Sequence, residues 1–371
     1  MNKKLISLLL SAALAVSMLT VPAFAAEGGE ADAALDETNE VVVTLGDTVT
    51  SSTVEDTDKA AADKTAADKT ETADSAPAAS TEKKQITYVA LGDSIVAGVG
   101  LADVKYAKDS TTLYSVDMSP NFKGYSPDCY VGKVATMMGL DRDHAINLGL
   151  PALTAPDLAD MVRDGQMPKM NMESGCWYKY PEFQDYIRKA DVVSVQIGSN
   201  DAFVPCIVAL GNATNWKSEA LAATVLAGDL RASGSPAAAL IQGIKDMHLT
   251  RDERNATWNL LTSEMGKICD RIYPQTTAGL ISVVQEIRKL NPDCQILLMG
   301  YTDPVPFVPC WHNYFKKLNK FEKQLAETYD LTYVAIPKAK TDLDVHPTIS
   351  GHEYIAKKIV NSIELAEDSA Q

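Results

Sequence analysis

Basic charge is scarce in this sequence. Lys and Arg number 34 against 49 Asp and Glu, for a net charge of −15. No stretch forms the basic stripe that nucleic-acid binding uses, so that class of partner is excluded. Long apolar runs are missing too. Beyond the first 25 residues, no segment has the roughly 18 uninterrupted apolar residues of a membrane-spanning helix. Cysteine is sparse, with six residues at Cys129, Cys176, Cys206, Cys269, Cys294 and Cys310. None forms a Cys-x-x-Cys pair or a Cys/His cluster at zinc spacing, so no structural metal is expected. Aromatic residues make up 7% of the chain, and residues 26–84 contain none.

What is present divides the chain into three. Lys3 and Lys4, the apolar stretch from Leu5 to Leu19 and the small-x-small sequence Ala23-Phe24-Ala25 have the form of an export signal. Residues 1–25 are therefore expected to be a signal peptide, and the mature chain to be secreted, extracellular or held at a cell surface. No cysteine follows the signal, which argues against a lipoprotein anchor. Residues 26–84 hold 15 acidic and five basic residues and repeat Ala-Ala-Asp-Lys-Thr at 61–65 and 66–70. Such a segment cannot bury enough apolar surface to offset its ordering entropy, and reads as a disordered acidic spacer. Its apolar patch, Val41 to Leu45, is either a lone strand or a blip in the linker. The 287 residues from 85 to 371 carry a net charge of −7 and suit one large α/β domain.

That domain is organised around residues 86–98. A β-branched apolar run ends in Gly92-Asp93-Ser94 and opens into a turn, which places a serine hydroxyl at the carboxyl end of a buried strand. Ligands of open α/β sheets bind just outside those ends. Gly92 permits the sharp turn, and Asp93 can bond local backbone N–H groups. Further strands are predicted at 145–149, 191–197, 295–300 and 331–336. Helices are predicted from Ser126-Pro127-Asp128 to Met138, over 155–163, over 277–290 and from 349 to about 365. Strands separated by helices imply a parallel sheet covered on both faces. Residues 203–265 exceed what a crossover needs and read as several short helices. They are either a lid or substrate wall over the active face, or a packed elaboration without a direct role. The tetrapeptide Phe-Val-Pro-Cys occurs at 203–206 and again at 307–310. Read as two loops leaving one sheet edge, these segments suggest a Cys206–Cys310 disulfide, with buried free thiols as the alternative.

Four pieces meet at the strand ends: Ser94, the 147–154 loop, Asn200 and the segment Asp342-Leu343-Asp344-Val345-His346-Pro347. With Gly-Asp-Ser at 92–94, Gly-Ser-Asn-Asp at 198–201, Asp-Val-His-Pro at 344–347 and Gly351-His352 beyond, the chain resembles the SGNH (GDSL) hydrolase superfamily of esterases and lipases over about residues 86–360. The resemblance implies a three-layer α/β/α flavodoxin-like fold with a central parallel sheet of about five strands. It implies ester hydrolysis without metal or organic cofactor. It also implies Ser94 as nucleophile, His346 as base, and an oxyanion hole from the Ser94 N–H, the Asn200 amide and the Ala152 N–H. Ala152 stands where the family has Gly, with Gly149 as the fallback. The usual Asp three residues before the His is Leu343 here, so the imidazole is oriented by Asp344, by a main-chain carbonyl or by Asp342. These roles fit the chemistry, since a serine needs a base and the oxyanion needs preorganised donors. Of the other histidines, His144, His248 and His312 lack this context, and His352 reads as a structural partner.

The expected function is a secreted, monomeric serine esterase or lipase acting on small-molecule, lipid or glycan esters. Acyl-chain esters are favoured, because the insertion is more aliphatic than aromatic. The alternatives are a carbohydrate O-acetylesterase, with Trp177, Tyr178 and Tyr180 as sugar contacts, and a non-catalytic surface binding module.

Overall fold

A computed structural model describes residues 85–101, 103–104, 122–218, 242–304, 306, 308–342 and 345–364. The expected signal, the spacer, residues 219–241 of the insertion and Asp344 lie outside them.

Five short apolar runs become five strands: β1 Tyr88–Gly92, β2 Ala145–Gly149, β3 Val192–Gln196, β4 Gln295–Met299 and β5 Thr332–Val334. All pairs are parallel, in the order β2-β1-β3-β4-β5. Alternate residues of each strand enter different cores, because side chains alternate across a strand. Val89, Leu91, Val193, Val195, Ile296 and Leu298 face one layer. Tyr88, Ala90, Val192, Leu297 and Met299 face the other. Both faces are covered by helices, so the fold is the three-layer α/β/α arrangement. The register sets Gly92 beside both Gly149 and Gln196, which brings the strand-end loops to one edge.

The helices are α1 Ser94–Ala97, α2 Tyr130–Met138, α3 Ala155–Asp164, α4 Phe183–Arg188, α5 Ser199–Ala213, α6 Arg251–Asn259, α7 Met265–Leu290, α8 Pro309–Thr328 and α9 Ile349–Val360. A five-residue π turn, Leu260–Glu264, joins α6 to α7. Several differ from the sequence expectation. Helix α2 starts after Cys129, its N-cap, because the Ser126 hydroxyl is occupied in a preceding turn, where it accepts the Asp128 N–H and donates to Asp103. The first part of the insertion is not a set of short helices: residues 199–213 form one helix with Pro205 inside it. Helix α7 likewise runs 26 residues through Pro274. Both Phe-Val-Pro-Cys repeats were expected in loops. Instead Cys206 lies inside α5, and Pro309 and Cys310 open α8. All six cysteines are free thiols. The expected Cys206–Cys310 bridge is therefore not formed. None of the described helices is long and apolar enough to cross a membrane.

Candidate active site

Ser94 is the first residue of α1, immediately after β1. Asp93 is the N-cap of that short helix and its carboxylate accepts the Ile95 N–H at 3.0 Å. Gly92 has φ +154°, and a Cβ built there would lie 2.1 Å from the Gln196 carbonyl oxygen. Only glycine fits so close an approach.

His346 lies between β5 and α9, 3% exposed, and its Nε2 is 2.9 Å from Ser94 Oγ. Its loop is fixed by backbone bonds. The Asp342 N–H donates to the His346 carbonyl at 2.9 Å, the Val345 N–H to the Asp342 carbonyl at 3.0 Å, and the Thr348 N–H to the Lys340 carbonyl at 2.9 Å. Thr348 then caps α9 through the Gly351 N–H. Leu343 and Asp344 lie outside the described residues. The other histidines are elsewhere. His144 pairs with Asp141 and His312 with Asp303, both on the surface, and His248 is exposed. His352 is fully buried, and its Nδ1 accepts the Tyr130 N–H at 3.2 Å. Burial pushes its pKa down to about 3, so it is a neutral structural imidazole.

The 150–154 loop follows β2 and is held from three sides. The Leu150 N–H donates to the Gly92 carbonyl at 2.9 Å, and the Tyr178 hydroxyl to the Pro151 carbonyl at 2.8 Å. From α5, Asn200 Nδ2 donates to the Leu153 carbonyl at 3.0 Å, and Asp201 Oδ2 accepts the Ala155 N–H at 2.9 Å. Ala152 has φ +62°, the left-handed conformation that suits glycine. Among the described residues no acceptor takes its N–H. The Gly149 N–H, by contrast, donates to Asn147 Oδ1 at 2.9 Å, which removes Gly149 as the fallback donor. Tyr178 is buried, Tyr180 packs edge-on against Phe122, and Trp177 remains exposed.

The sequence reading missed a buried network beneath the serine. Asp93 Oδ2 accepts from the Ser199 hydroxyl at 2.7 Å and from the Tyr301 hydroxyl at 3.2 Å. Burial holds the Asp93 pKa above the ordinary range, against the lowering by these bonds. Asp201, equally enclosed, is pushed up to about 7, chiefly by burial. Neither could be read from spacing, because their partners lie 46 to more than 200 residues away. Ser94, Asn200 and His346 line one cavity of about 30 Å³, which continues to Phe203, Tyr301 and Phe315.

A serine hydroxyl hydrogen-bonded to a buried imidazole, beside an asparagine amide and an unpaired loop N–H, is the arrangement acyl transfer requires. The sequence profile of the GDSL-like Lipase/Acylhydrolase family matches residues 90–354, which include every one of these positions. The chain belongs to that family. The fold of this GDSL-family chain is similar to that of several solved structures. An extracellular lipase from Streptomyces rimosus is 14% identical, with 75% of this chain and 100% of that one covered and a TM-score of 0.42. A carbohydrate acetylesterase from Sinorhizobium meliloti is also 14% identical, covering 75% and 97%, with a TM-score of 0.40. A phospholipase A1 from Streptomyces albidoflavus is 15% identical, covering 76% and 100%, with a TM-score of 0.37. Among curated proteins none matches the sequence.

Proposed function

We propose that this GDSL-family chain is an exported, monomeric serine carboxylic ester hydrolase that works through an acyl-enzyme. Ser94 Oγ attacks the ester carbonyl carbon while His346 Nε2 takes its proton. The tetrahedral oxyanion is held by the Ser94 N–H, the Ala152 N–H and the second amide hydrogen of Asn200, the first being bonded to Leu153. Collapse breaks the carbon–oxygen bond to the alcohol, which leaves with the proton from His346. Water then attacks the acyl carbon, giving its proton to His346; collapse breaks the bond from that carbon to Ser94 Oγ, which takes the proton back from His346 as the carboxylic acid departs. Asp344 is the proposed orienter of the imidazole, ahead of a main-chain carbonyl and Asp342. In this reading residues 1–25 direct export and residues 26–84 are an acidic spacer ahead of the catalytic domain.

The observation that carries the reading is the 2.9 Å contact between His346 Nε2 and Ser94 Oγ. The test is hydrolysis of p-nitrophenyl acetate by the purified chain and its Ser94→Ala and His346→Ala variants. Each substitution is expected to lower kcat by at least about 10³-fold, as loss of one member of such a unit does. A folded wild-type chain with no Ser94-dependent turnover of any ester supports the binding-module alternative instead.

A further inference from the structure

The cavity beside Ser94 and His346 has a volume of only about 30 Å³. Ordinary small-molecule pockets run to about 300–1,000 Å³, so only a short acyl group fits. The cavity is lined by Phe203, Tyr301, Phe315 and Val345, all less than a tenth exposed. Its aromatic wall is one packed unit. The Phe203 ring lies 5.4 Å from that of Phe315 and 4.9 Å from that of Trp311, and Tyr301 lies 5.5 Å from Phe315. Tyr301 is tethered at both ends, its N–H donating to Asn319 Oδ1 at 2.6 Å and its hydroxyl to Asp93 at 3.2 Å. A wall packed in this way yields little to an extra methylene.

We infer that this cavity is the acyl pocket and that the Phe203–Phe315–Tyr301 wall limits the substrate to esters of two- or three-carbon acids. The inference rests on the ester-hydrolase reading and gives its acyl class. It reverses the expectation drawn from the aliphatic insertion. The first turns of α5 carry Phe203 into the pocket, so the start of that insertion closes the acyl site and does not extend it.

The experiment is a chain-length series with p-nitrophenyl acetate, propionate, butyrate, octanoate and laurate, using the full chain, Ser94→Ala as blank, and Phe203→Ala. For the wild type, kcat/KM should be highest for acetate or propionate. It should fall at least tenfold by butyrate and at least a hundredfold by octanoate. Phe203→Ala should raise the octanoate-to-acetate ratio at least tenfold. Should that variant fail to fold, a second measurement on the wild type serves. Ser94 should be labelled at least tenfold faster by p-nitrophenyl methylphosphonate than by the octylphosphonate, followed by intact mass. Ser94-dependent turnover that is equal or better on octanoate overturns the inference and leaves the hydrolase reading standing. An unchanged ratio in folded Phe203→Ala overturns the assignment of the wall. No Ser94-dependent turnover or labelling on any probe removes the hydrolase reading, and this inference with it.

Discussion

Two residues at the site hold left-handed backbone that side chains resist: Ala152 and Val345, each with φ +62°. For an L-residue that conformation costs about 1–2 kcal/mol. At Ala152 the side chain is one methyl, so little packing is lost if it is removed. Ala152→Gly relieves the strain, and glycine's larger unfolded-state entropy takes back about 0.5–1 kcal/mol. The expected outcome is a net gain of about 0.5–1 kcal/mol in urea unfolding, with the N–H donor retained. A loss beyond about 1 kcal/mol would mean that the methyl is a packed contact of the loop. Val345 differs. It is β-branched, so its strain is larger, but its side chain is 94% buried and burying it contributes about 1.5–2 kcal/mol. The two effects roughly cancel, which leaves a strained residue beside His346 at little net cost in stability.

Helix α5 contributes two consecutive side chains, Asn200 and Asp201, that grip the end of the 150–154 loop at Leu153 and the start of α3 at Ala155. Asp201 touches no substrate in the proposed mechanism and acts as a positioning residue for Ala152. Asp201→Ala should lower kcat on p-nitrophenyl acetate about tenfold with KM changed less than twofold. Asp201→Asn, which still offers an oxygen to the Ala155 N–H, should restore most of it. Equal loss in both variants, or a change in KM alone, argues against positioning. Elements of this kind were unevenly legible in the sequence. The five strands were readable because each is a short apolar, β-branched run, and parallel pairing followed from the helices between them. Ser94, Asn200 and His346 were readable because each follows a strand end inside a recognisable motif. Phe203 to Cys206 was read as a loop and α7 only from 277, whereas tertiary burial of Phe203, Cys206 and Ile207, and of Leu280 and Val284, stabilises both helices through the bonds lost at Pro205 and Pro274. Helix α8 was passed over although its buried face, Trp311, Tyr314, Phe315, Leu318 and Leu325, has helical spacing. Its Pro309 was read as part of a loop, and Glu322 breaks the stripe.

For the whole molecule, the buried ionisable groups set the pH dependence of stability, since exposed ion pairs contribute little. Glu322 is fully buried, with no hydrogen-bond partner for either carboxyl oxygen among the described residues, and burial holds its pKa well above the ordinary value. Asp201 is raised to about 7 and Asp93 is raised by burial. A carboxyl raised in the folded state favours its proton there. Its contribution therefore erodes as pH climbs from the unfolded value of about 4 to the folded value, by up to about 1.4 kcal/mol per pH unit for each group. His352 has the opposite sign. Its folded pKa of about 3 lies below the unfolded value of about 6.5, so stability is lost as pH falls through that window. Between about pH 4.5 and 6.5 the raised Asp201 and the lowered His352 oppose one another, and the raised Glu322 and Asp93 carboxyls tip the net slope downward with rising pH. Above pH 7 Asp201 is ionised in both states and Glu322 continues the decline. Thermal melts from pH 4 to 9 should therefore place the highest Tm near pH 4–5. Glu322→Gln, which keeps the shape of the protonated acid, should raise Tm little at pH 5 and by several degrees at pH 8. Wild-type and variant curves that run parallel would mean that Glu322 ionises freely in the folded chain, and the enclosed environment on α8 would have to be redrawn.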